Sequence, residues 1–72
     1  MEEVWYDKNE DILNIELKKA DYWKSVELPN GIVIDIAKDG SIMGIEIFRA
    51  SKIFSAEDIK KMLSHAKSLA AT

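Results

Sequence analysis

Apolar and polar positions alternate most regularly between Gly31 and Ser51, where two runs of period two flank Asp39-Gly40. Side chains alternate across a strand, so such runs bury one face. Asp-Gly suits the centre of a tight turn because Gly takes positive φ without steric cost. The stretch predicts a β-hairpin with strands at about 31–38 and 41–49. With a two-residue loop at Asp39-Gly40, Ile36 faces Met43, Ile34 faces Ile45 and Ile32 faces Ile47, which gathers these six apolar side chains on one face. A three-residue loop would shift the pairing by one and set Ile34 against Gly44, mixing the faces, so the two-residue loop is the expectation. The other face then carries Val33, Asp35, Ala37, Ile42, Gly44, Glu46 and Phe48.

Three further strands precede the hairpin, at about 3–7, 11–18 and 23–28. In the first, Val4 and Tyr6 alternate with Glu3, Trp5 and Asp7, and the pattern leaves open which set faces the core. In the second, Leu13, Ile15 and Leu17 form an apolar face that should join the isoleucines of the hairpin. In the third, Lys24, Val26 and Leu28 oppose Trp23, Ser25 and Glu27. Leu28-Pro29-Asn30-Gly31 fits a tight reversal, which makes the last three strands a meander. The period changes after Arg49: Ser55 can cap a helix at about 56–70, Glu57 and Asp58 fill its first turn, and Phe54 can pack on Ile59 as a staple. Ile59, Met62, Leu63, Ala66, Leu69 and Ala70 make one stripe, with His65 away from it. The expected fold is α+β: a single domain over 1–72, an antiparallel sheet of four to five strands with one C-terminal helix on its isoleucine face.

Gly31-Ile32, Asp35, Asp39-Gly40, Gly44-Ile45-Glu46-Ile47 and Ala50-Ser51, with Tyr6-Asp7, Asp11, Leu13 and Ile15 upstream, resemble the pattern of the family catalogued as domain of unknown function (DUF) 2283. The resemblance spans about residues 4–52 and departs at Glu10, where the family more often has a small residue. It implies no activity and no catalytic residues. The C-terminal helix lies outside the usual family pattern.

Composition narrows the function classes. A chain of 72 residues makes one small domain that buries only about 60% of its unfolded surface, so association would stabilise it. Without cysteine it has neither a disulfide staple nor a thiolate metal site. No signal-like N-terminus and no apolar run near the ~20 residues of a membrane span is present, and a cytoplasmic location is expected. The net charge of −3 opposes nonspecific nucleic-acid binding, which needs surplus Lys and Arg. The acids concentrate at the start: Glu2, Glu3, Asp7, Glu10, Asp11 and Glu16 stand against Lys8 alone in residues 1–16.

Asp35 and Glu46 are the candidate catalytic pair, lying diagonally on the second sheet face with room left by Gly44. Two carboxylates without a base, nucleophile or phosphate loop define no reaction, so the catalytic or small-ligand reading is the alternative. The single histidine, His65, cannot build a transition-metal site without several carboxylates, and neither metal nor cofactor is expected. Trp5, Tyr6, Tyr22, Trp23, Phe48 and Phe54 suggest base stacking on a sheet, but only Lys18, Lys19, Lys24 and Arg49 could border it, leaving RNA binding a second alternative. The leading expectation is noncatalytic association, as a homodimer or with a small protein partner, through Val33, Ala37, Ile42 and Phe48.

Overall fold

Three antiparallel reversals and one long connection build the sheet. The computed structural model describes the backbone of residues 3–71 and the side chains of residues 3–64. Strands β1 (Glu3–Asp7), β2 (Ile12–Glu16), β3 (Tyr22–Glu27), β4 (Ile32–Ala37) and β5 (Ile42–Phe48) are followed by a short helix α1 (Ala50–Ile53) and the longer α2 (Ala56–Ala71). The order across the sheet is β1-β2-β5-β4-β3, so the β1-β2 hairpin joins the β3-β4-β5 meander through antiparallel β2 and β5. The connection from β2 to β3 crosses the end of the β4-β5 hairpin. It is held there by Met43 O, which accepts from Leu17 N at 2.9 Å, and by Asp21 O, which accepts from Lys38 N at 2.8 Å. His65 and the stripe positions Ala66, Leu69 and Ala70 lie outside the described side chains. No helix among the described residues is long and apolar enough to cross a membrane.

The central register is as expected, but it is reached by a different turn. Ile34 faces Ile45, Ile32 faces Ile47 and Asp35 faces Gly44. The loop, however, has three residues, Lys38 to Gly40: Ala37 N donates to Ser41 O at 2.8 Å and Gly40 N to Ala37 O at 2.9 Å, with Gly40 at φ 88°. A two-residue type I′ turn would need positive φ at Asp39 as well, and Asp39 does not adopt it. Asp39 instead caps the loop from its side chain, accepting from Ser41 N at 2.9 Å. The shift this loop imposes is undone by a bulge between Asp35 and Ile36, where Met43 is the additional residue and Ile36 pairs with Ile42 rather than Met43. Ile42 therefore joins the isoleucine side of the sheet rather than the second face. The Pro29-Asn30-Gly31 loop repeats the design, with Leu28 N on Ile32 O at 2.7 Å and Gly31 at φ 84°.

Leu13, Ile47, Ala50 and Ile59 form the buried centre, with Val4, Tyr6, Ile15, Ile32, Ile45, Phe54, Met62 and Leu63 packed around them. This settles β1: Val4 and Tyr6 face the core and Trp5 faces outward. Helix α2 lies over the β1 end of the sheet and leaves the β3 edge bare, where every residue of β3 is exposed. The molecule is a slab of 35 × 33 × 17 Å, thick enough for the sheet and one helix layer.

Ser55 caps α2 as its sequence implies, Oγ accepting from Asp58 N at 3.1 Å while Ser55 O accepts from Ile59 N at 3.0 Å. Ser55→Ala is expected to cost about 1 kcal/mol, read as a lower urea midpoint with unchanged slope. An unchanged midpoint would show that the cap is dispensable.

Candidate functional site

The face of the sheet opposite α2 carries a polar row across four strands. Register alone builds it: Asn14 on β2 faces Glu46 on β5, Glu46 faces Val33 on β4, and Asp35, two residues along β4, faces both Gly44 on β5 and Ser25 on β3. Asp35 and Glu46 are thus diagonal neighbours, as the sequence pattern requires. Gly44 lies between β2 and the pair: a Cβ there would stand in ordinary contact with Asp35 Oδ2 at 3.5 Å but tightly, at 3.2 Å, against the backbone oxygen of Ile15. Ser25 Oγ donates to Asp35 Oδ1 at 2.6 Å, and the Tyr22 hydroxyl lies 2.7 Å from Ser25 Oγ. At the other end of the row, Asn14 Nδ2 donates to Ile12 O at 3.3 Å. No buried side-chain polar atom among the described residues lacks a partner.

The electrostatics of the pair fall on Glu46. Partial burial pushes Glu46 up to about 7, and the hydrogen bond with Asp35 and that residue's negative charge add to the shift. Near neutral pH Glu46 therefore keeps its proton in part of the population. Glu46 can hold or release a proton in the neutral range, and the hydroxyls beside the pair, Ser25 on Asp35 and Tyr22 on Ser25, are engaged in the hydrogen-bond chain. Among the described residues no group of three or more His, Cys, Asp or Glu side chains is placed to hold a metal ion.

The expected association residues divide. Val33 and Phe48 lie on the open face in register with Glu46 and Ile12. Ala37 is on this face too but is 1% exposed, in register with Tyr22, so it offers a partner no surface. Ile42 is 46% exposed on the other side, opposite Ile36. The aromatic residues do not form one stacking platform: Trp5 is on the β1 edge and Tyr22 and Trp23 on the β3 edge, with Asp35 and Glu46 between. Lys24 Nζ covers the Trp23 ring at 4.3 Å from its centre.

Sequence reasoning missed Ser25 as the partner of Asp35 and Tyr22 as the partner of Ser25, because the bulge between Tyr22 and Lys24 interrupts the alternation that would have aligned them. It also missed the use made of Asp11. That residue sits at φ 56° in the β1-β2 turn, and its carboxylate accepts from Ser51 N at 3.0 Å, from Ser51 Oγ at 2.6 Å and from the Tyr6 hydroxyl. Its carbonyl accepts from Ala50 N at 3.0 Å, which places the wholly buried Ala50 at the start of α1. The Ser51 and Tyr6 hydrogen bonds hold the Asp11 carboxyl below the usual carboxylate range, and the same bond to Asp11 raises the Tyr6 hydroxyl. Asp7 fastens the preceding turn by accepting from Asn9 N and Glu10 N. Tyr6, Asp7, Asp11, Ala50 and Ser51 are positions of the family-like pattern, and they form a clasp between the first hairpin and the helical segment.

Comparisons with curated proteins and with solved structures gave no match. The pattern described as "Protein of unknown function (DUF2283)" matches residues 3–51, which contain all five strands and the clasp. With more than half of its length matched in this way, the chain belongs to the DUF2283 family.

Proposed function

We propose that this chain is a noncatalytic association module that pairs with a second copy of itself through the open face of its sheet. One observation carries the reading: a broad sheet face lies uncovered, while most of its polar groups are already bonded within the chain. Tyr22, Ser25 and Asp35 form one chain of hydrogen bonds, Asn14 is held by Ile12 O, and Glu46, diagonal to Asp35, is pushed up to about 7 by partial burial. Polar groups satisfied within one chain cost little to remove from water against another, whereas unsatisfied ones would oppose contact. Around them stand Trp5, 46% exposed, with Ile12, Val33 and Phe48 part-buried beside the row. A standard interface removes about 800 Å² per partner, about 15% of the 5271 Å² this domain exposes, which one broad side of the slab can supply. A two-fold axis through the face would bring each carboxyl pair toward its mate, so the proton held by Glu46 favours the assembly and its loss weakens it.

Sedimentation equilibrium tests the reading. The parent is expected to dimerise at about 100 μM, and Val33→Lys and Phe48→Lys to weaken the dimer on the order of tenfold or more while circular dichroism stays that of the parent. Ile42→Lys is expected to leave the dimer unchanged, because Ile42 lies on the other side of the sheet. A parent that remains monomeric, or a dimer weakened only by Ile42→Lys, removes the proposal.

A further inference from the structure

On the side of the molecule that α2 covers, away from Asp35 and Glu46, a groove of about 560 Å³ runs between β1 and the start of α2. Local geometry opens it. The chain leaves α1 through Phe54, which is extended at φ −123° and ψ 144°, so α2 does not continue α1 and the turn between them borders the groove. Ile59 and Leu63, one turn apart on α2, form one wall with Phe54, and Tyr6 forms the other. The hydroxyls along the groove are largely engaged: those of Tyr6 and Ser51 are committed to Asp11, and Ser55 Oγ accepts from Asp58 N as the helix cap. The volume lies within the range of small-molecule sites, which is about 300–1,000 Å³.

The polar groups at the mouth are charged and unequal. Lys8 and Lys60 line the groove with a single acid, Glu57. The ion pair found among the described residues is Lys18–Asp39 at 3.6 Å, so neither Lys8 nor Lys60 is paired there. An apolar trough with an excess of one positive charge at its mouth complements one chemistry. We infer that this groove binds a small molecule with an apolar body and a single carboxylate. The body replaces water that finds few partners along the walls, and the carboxylate takes a charge-assisted hydrogen bond from Lys8 or Lys60.

Isothermal titration with octanoate and with octan-1-ol, on the full chain at pH 7.5, separates the two contributions. Octanoate is expected to bind about tenfold more tightly than octan-1-ol, and the Lys8→Gln/Lys60→Gln double variant to bring the two to the same affinity. Ala56→Trp, which fills the groove from an exposed position on its edge, is expected to abolish binding of both. In the parent, octanoate is expected to shift the methyl NMR signals of Ile59 and Leu63, a readout that needs no variant to fold. Absence of octanoate binding at millimolar concentration overturns the inference, as do equal affinities in the parent or methyl shifts confined to other residues.

Discussion

Leu13→Ala is expected to remove most of the stability of the fold, the largest effect of any single truncation among the described residues. Leu13 is wholly buried, and it stands where β2 faces both Tyr6 of β1 and Ile47 of β5, beneath Ile59 of α2. Removing three carbons there costs the transfer free energy of the side chain plus that of the cavity, about 3–5 kcal/mol, because a site held by two strands and a helix collapses poorly. A domain of this size has a net stability of only about 5 kcal/mol. Urea denaturation followed by tryptophan fluorescence measures the loss, and a variant within about 1 kcal/mol of the parent would place the centre of the core elsewhere.

The second large effect is on pH dependence, and its sign is opposite to that of most carboxylates. Glu46 holds its proton more tightly in the folded state, with its pKa near 7, than in the unfolded chain, where 4.5 is the ordinary value. The stability it contributes is therefore fully present below about 4.5 and is lost as pH rises through about 7. At pH 8 Glu46 is charged in its partly buried position and the fold bears that cost. The gap between the two values corresponds to about 3 kcal/mol in full, and solvent screening of this partly exposed group reduces it to about 1–2 kcal/mol. Glu46→Gln is accordingly expected to raise stability by that amount at pH 8 and to leave it unchanged at pH 4.5. Paired denaturation curves at the two pH values decide the matter: equal effects at both, or a loss at pH 8, would mean that Glu46 is an ordinary surface acid.

What the sequence made legible was what local periodicity encodes. Ile32, Ile34, Ile45 and Ile47 declared a shared face through strict alternation, and Ser55 with Glu57 and Asp58 declared the start of α2. The diagonal placement of Asp35 and Glu46 followed from the same register. Ile42 was misplaced because two irregularities cancel: the three-residue loop shifts the hairpin and the bulge at Met43 shifts it back, so the pairing away from the turn gives no sign of either. The clasp spans 40 residues between Asp11 and Ser51, a separation over which no local pattern carries information, and only the family-like spacing marked those positions. Helix α1 has four residues, begins after Arg49 at φ 55°, whose side chain does not cap it, and takes its cap from the distant Asp11, so it left no local start signal to find. The pairing of β2 with β5 is likewise nonlocal, set by which apolar faces must share α2.

The association proposal is tested most directly by an isotope-filtered NOE spectrum of a 1:1 mixture of labelled and unlabelled protein at millimolar concentration and pH 6, where Glu46 retains its proton. Cross-peaks between chains from Trp5, Val33 and Phe48, and none from Ile42, are the predicted result. A spectrum without intermolecular peaks, or with peaks confined to Val26 and Ile42 on the opposite side of the sheet, would contradict it.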